Sequence, residues 1–184
     1  MKSKNKLKAL LTKGVFLAIY SNAQEPARFN VGFVLACNES EFIIHSLDEN
    51  GVDDGLYVGK LDDIIKVELE SSYLKKILFL KENFQGGADN SEMKDVLNVT
   101  SGLEVLVYAC KERVIISVWL EYSEDAIMGF VQEVADGILI LQLIDACGVM
   151  DEKIAVNIES VVAMQISAHA QRHLQKLVQN TLEC

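Results

Sequence analysis

Histidines one helical turn apart, carboxylates gathered near turns and a lysine-rich start are the three patterns in this chain whose residue types can do chemistry. His169 and His173 stand at i and i+4, so a helix would put both rings on one face, the spacing of a transition-metal pair. No glutamate follows His169 to complete a zinc-protease motif, and a solvated helical face is the preferred reading. Asp48, Asp53, Asp54, Asp62 and Asp63 form an acidic series, echoed later by Asp145, Asp151, Glu152 and Glu159. Several oxygens converging on one turn would suit Ca²⁺ or Mg²⁺. Asp48-Glu49-Asn50-Gly51, however, lacks the alternating ligands and closing glutamate of a calcium loop, and aspartates in such turns bond the local backbone. Turn chemistry is expected, with no resident metal or cofactor.

Lys2, Lys4, Lys6, Lys8 and Lys13 occupy the first 13 residues without one acid, while the other 171 residues carry 12 basic and 27 acidic groups. Such a segment could meet RNA phosphates or an anionic surface, or serve the acidic body of its own or another subunit. For catalysis there is no Gly-x-Ser-x-Gly, no phosphate-binding glycine loop, no dinucleotide fingerprint and no cysteine paired with a histidine. No catalytic residue is nominated, and a non-enzymatic role is expected. His45 reads as an outward polar position on a strand.

The elements that must position these residues belong to a folded chain. Its 184 residues carry a formal charge of −10, with half of them hydrophobic and 24% charged, which is too apolar for intrinsic disorder and too acidic for general nucleic-acid binding. No apolar run reaches the roughly 18 to 20 residues of a membrane-spanning helix, so no membrane association is expected. Cys37, Cys110, Cys147 and Cys184 form no Cys-x-x-Cys pair and read as separate thiols, the first three in core positions. That favours a reducing, cytoplasmic location. The start, with Met1-Lys2-Ser3-Lys4 before an apolar stretch, imitates a secretory signal, but Lys13 and Gly14 interrupt it and the segment has a partner later in the chain.

That partner belongs to an internal repeat. Shifting the sequence by 97 positions aligns Gly32-Phe33-Val34 with Gly129-Phe130-Val131, Ile43 with Ile140, Asp48 with Asp145, Gly51-Val52 with Gly148-Val149, and Asp54 with Asp151. A two-residue difference in one loop then aligns Leu7 and Val15 with Leu106 and Val114. Each copy reads as a short helix, about 3–13 in the first, then five short strands and a closing helix. The strands are expected at 15–21, 29–37, 41–47, 56–61 and 64–69, and again at 114–122, 127–134, 138–144, 153–158 and 161–166, with closing helices at 72–82 and 167–182. Ser101-Gly102-Leu103-Glu104 has the form of a capping box and opens the second copy. The expected organisation is a first domain over 1–82, a polar, glycine-containing linker over 83–99 and a second domain over 100–184.

A leading helix and five short strands, with a glycine early in the second, resemble the Sm-like group of small β-barrels within the wider SH3-like set. The resemblance covers both copies and implies two tandem five-stranded barrels related by internal duplication, mainly β with flanking helices. Gly32 fits the family pattern, but Asn38 stands at its aspartate position and Phe42 at the asparagine that reads an RNA base. Gly129 is followed at the same distances by Ala135 and Leu139, and Tyr57-Val58-Gly59 and Ala155-Val156-Asn157 lack the Ile-Arg-Gly arginine. The RNA pocket is not carried over. The function expected is a non-catalytic protein-interaction or regulatory module that forms a homodimer or a larger closed homo-oligomer, with RNA binding through the lysine-rich helix as the alternative. Ile138-Leu139-Ile140-Leu141 and Val161-Val162-Ala163-Met164 lead one to expect a second copy buried on both faces.

Overall fold

A computed structural model describes residues 2–21, 27–83, 98–121, 123 and 125–182. The expected linker lies mostly outside the described residues. The chain divides into two compact units, Met1–Gly102 and Leu103–Cys184. No helix among the described residues is long and apolar enough to cross a membrane.

The first unit runs α1 (Lys2–Leu10), β1 (Phe16–Tyr20), β2 (Asn30–Cys37), β3 (Glu41–Leu47), β4 (Asp53–Lys60), a 3-10 turn at Leu61–Asp63, β5 (Lys66–Glu68) and α2 (Ser72–Asn83). Its antiparallel ladders give the order β5-β1-β2-β3-β4. The second contains α3 (Gly102–Glu112), β6 (Ile115–Leu120), β7 (Ile127–Ala135), β8 (Ile138–Ile144), β9 (Met150–Asn157), a 3-10 turn at Ile158–Ser160, β10 (Val161–Ile166) and α4 (His169–Leu182). Its order is β10-β6-β7-β8-β9.

The molecule is thus mainly β with flanking helices. Closed barrels are not what the ladders form: among the described residues each unit is an open run of five strands. In both, the 3-10 turn after the fourth strand breaks the ladder and sends the fifth strand to pair with the first strand of its unit.

The two units match in detail at the 97-residue offset. β3 and β8, β4 and β9, and the two 3-10 turns have corresponding bounds, and α2 and α4 start at corresponding residues. Bulges that sharpen the twist fall between Val34 and Ala36 in one and between Val131 and Glu133 in the other. Gly32 and Gly129 share one necessity. A Cβ at either would collide with the backbone carbonyl of the facing strand, at His45 and Gln142 respectively. Each closing helix covers one face of its sheet. Leu74 and Ile77 pack on Ala18, Val31 and Leu47, while Leu174 and Val178 pack on Ile115, Phe130 and Ile144. Fully burying one such side chain stabilises by about 1.5–3 kcal/mol.

Some element ends differ from expectation. The first helix stops at Leu10, before Gly14 at φ +86°, and α4 starts at His169 because Ser167 adopts φ +57°, outside the helical region. The fourth strands start earlier than expected, at Asp53 and Met150, and β5 is only three residues long. Burial on both faces is not found for β8: Leu139 and Leu141 are buried, but Ile138 is exposed and Ile140 half-buried.

Candidate functional site

The acidic turns are built from local hydrogen bonds. Asp48 Oδ1 accepts from the backbone N–H groups of Asn50 and Val52 at 2.9 and 2.8 Å, and Asp145 Oδ1 accepts from Cys147 and Val149 at the same two distances. Gly51 and Gly148 close these turns at φ +77° and +82°, a region that favours glycine. Among the described residues, no three metal-ligating side chains converge. Asp62 and Asp63 lie in the first 3-10 turn and Glu159 in the second, whose start is capped by Asn157.

His169 and His173 do share one face of α4, with ring centroids 6.4 Å apart and planes tilted by 45°. The Arg172 guanidinium intervenes chemically. Its Nη2 lies 3.2 Å from His169 Nδ1, and its Nη1 donates to the Ser167 carbonyl. A fixed positive charge beside one ring opposes a second cation there.

Lys2, Lys4, Lys6 and Lys8 all fall on α1, whereas Lys13 lies beyond its end. Lys8 is bound to the Glu39 carboxylate. His45 is not the outward position expected from the sequence. Its Nε2 lies 2.9 Å from Asp53 Oδ2, and the two side chains are only 15% and 10% exposed. The pairing arises because Asp53 also accepts the Gly55 N–H at 2.8 Å, which turns its second oxygen towards the histidine. At the position of His45 the second unit has Gln142, which donates to the Asp151 carbonyl at 2.6 Å.

The cysteines depart from the core placement expected of them: Cys37 and Cys110 are half-buried, and Cys147 is exposed in its turn. Burial pushes the Cys37 thiol above its ordinary pKa, with nearby Lys8 opposing. Cys184 lies outside the described residues.

Sequence reasoning missed a row of rings and charges in the first unit. Tyr20 and Phe29 are 4.9 Å apart between centroids, and Tyr73 from α2 meets Phe29 edge-on at 5.4 Å. Lys66, directly across the ladder from Tyr20, places its Nζ 4.3 Å from the centre of the Tyr20 ring. The same Nζ donates to Glu68 Oε2 at 2.8 Å, and the Tyr20 hydroxyl donates to that oxygen at 3.2 Å. Bonds from Lys66, then from the Ser71 hydroxyl, hold the Glu68 carboxyl at about 2, well below the usual carboxylate range. The available signal was asymmetry between corresponding positions of the two units. Where the first has Tyr20, Phe29, Lys66, Glu68 and Tyr73, the second has Trp119, Ala126, Ala163, Gln165 and Ala170.

The sheet ends are the remaining candidates. β9 ends the strand order of its unit and is mostly exposed, with Val149 just before it at 54% and its first residue, Met150, at 42%. β5 ends the order of the first unit, between exposed Ile65 and Leu69. No family model, no curated protein and no solved structure shows a significant match to this chain.

Proposed function

We propose that the chain is a non-catalytic cytoplasmic interaction module of two Sm-like, barrel-type domains related by internal duplication, which docks a protein partner and self-associates into a homodimer or a larger closed assembly. The observation that carries this reading is β9. It is a terminal strand whose backbone edge can accept another strand, with apolar Val149 and Met150 at its start to anchor one. The third and fourth strands and the 3-10 turns, equal in bounds at a 97-residue offset, support the duplication.

Light scattering after gel filtration at micromolar concentration tests the reading. A mass at a multiple of 20.4 kDa is expected, falling towards 20.4 kDa when Val149→Asp and Met150→Asp are combined. Both side chains are exposed, so the fold tolerates the change. A wild-type mass of 20.4 kDa, together with capture of protein partners unchanged by the double substitution, overturns it.

A second reading rests on α1, which carries Lys2, Lys4, Lys6 and Lys8 without an acid. Here the helix binds RNA through phosphates. Binding of single-stranded RNA would then fall steeply with salt and vanish on deletion of residues 1–8. Absence of a mobility shift at low salt removes this reading.

A further inference from the structure

The Lys66–Tyr20–Glu68 cluster has the parts of a receptor for an organic cation, and one is seated in it. A ring face attracts a cation through its quadrupole, and a carboxylate beside it adds charge and a hydrogen-bond acceptor. The receiving groups are held in place. Phe29 packs against the Tyr20 ring, the Tyr20 hydroxyl is tied to Glu68, and the Ser71 hydroxyl bonds Glu68 while accepting the Leu74 N–H at 3.1 Å at the start of α2. The cation is the mobile part. The Lys66 side chain is 55% exposed against 23% for Glu68, and it can swing out without disturbing the backbone pairing of β5 with β1.

We propose that Tyr20 and Glu68 form a binding site for a lysine or arginine side chain of a partner protein, and that Lys66 occupies this site in the absence of that partner. The assignment rests on the interaction reading above and gives the chemistry of the partner: a basic segment. Charge complementarity supports it. The chain carries −10 overall, and Asp48 and Glu49 lie near enough to Tyr73 to help raise its pKa, behind burial as the main cause. A field of that sign steers basic partners towards the row. The second unit has Ala163 and Gln165 in place of Lys66 and Glu68, so it has neither the resident cation nor the carboxylate and serves as an internal control.

The test uses the full chain, isotopically labelled, with the ring resonances of Tyr20, Phe29 and Tyr73 followed by NMR. The probes are tetramethylammonium and a capped tetralysine peptide, with sodium chloride at matched ionic strength as the baseline. Lys66→Ala vacates the site, so both probes should bind about fivefold more tightly than to wild type, with saturable shifts centred on Tyr20. Tyr20→Leu or Glu68→Gln, added to Lys66→Ala, should abolish the gain. Lys66→Gln should reproduce the effect and replaces Lys66→Ala if that variant folds poorly. Equal, non-saturating shifts in wild type, Lys66→Ala and Lys66→Gln overturn the proposal, as do shifts centred on the second unit. If self-association still responds to the Val149 and Met150 substitutions in that case, the interaction reading stands and this site alone falls.

Discussion

β4 and β9 occupy corresponding places in the two units and differ in setting. They begin and end at corresponding residues, yet Gly55 to Gly59 are all buried in β4, whereas β9 exposes all but Ile154 and Val156. Their side chains are compatible with the contrast without fixing it: Gly55-Leu56-Tyr57-Val58-Gly59 tolerates cover on both faces, and Asp151-Glu152-Lys153 places charges along an open edge. The fifth strands show the opposite pairing, with β5 open and β10 largely buried. Equal backbones therefore do not imply equal surfaces. The units share a scaffold and differ in what they present, aromatic rings with paired charges in the first and an apolar-flanked edge in the second.

Exchanging cross-strand pairs between the units sharpens this comparison most. Phe42 faces Gly59, and a Cβ at Gly59 would come within 2.7 Å of the Phe42 ring. At the corresponding positions Leu139 faces Val156, Leu being smaller than Phe42 and Val larger than Gly59. Gly59→Val is expected to cost about 1–3 kcal/mol through overpacking. Adding Phe42→Leu installs the second unit's pair and should return stability to within about 1 kcal/mol of wild type in urea unfolding. A double variant no better than the single one would break the equivalence of the two cores.

A smaller effect is expected at Ser117 and Gln171. Gln171 is buried and donates to the Ser117 hydroxyl at 2.6 Å, while its Oε1 has no hydrogen-bond partner among the described residues. Ala18 and Leu74 stand at these positions in the first unit. Ser117→Ala alone should destabilise by about 1 kcal/mol, because the amide loses its best acceptor. Ser117→Ala with Gln171→Leu should equal or exceed wild-type stability, since removing both polar partners also removes the buried orphan oxygen. Thermal unfolding of the three proteins decides it, and a double variant less stable than the single one defeats the expectation.

The smallest effect is in acid. The Glu68 carboxyl is lowered from 4.5 to about 2, so the folded state holds it ionised more strongly than the unfolded chain does. Its contribution is therefore present above pH 4.5 and is lost as pH falls from there towards 2. Glu68→Gln should flatten that part of the acid-unfolding curve, and an unchanged curve would show that the Lys66–Glu68 pair adds nothing to folding. The second unit carries Gln165 at this position and makes no matching contribution.

Much of the secondary structure was legible. β3, β8 and β10 have the expected bounds, and the aspartate turns follow from residues no more than four positions apart. Where legibility failed, sequence separation was involved. His45 bonds a residue eight positions away through a bulged ladder, and the Tyr20–Glu68 contact spans 48 positions. The Cys147 thiol is exposed despite its apolar neighbours because the Asp145 turn carries it outward.

By itself, the sequence determined what depends on neighbours along the chain: the strand and helix periods and the two Asx turns with their glycines, which recur 97 residues apart. Only the tertiary structure decided which strands lie open and which are covered, and that a lysine of β5 rests on a tyrosine of β1. The physical reason is that alternation and turn propensity act over a few residues, whereas burial and cross-strand pairing depend on which distant segment the folded chain brings alongside.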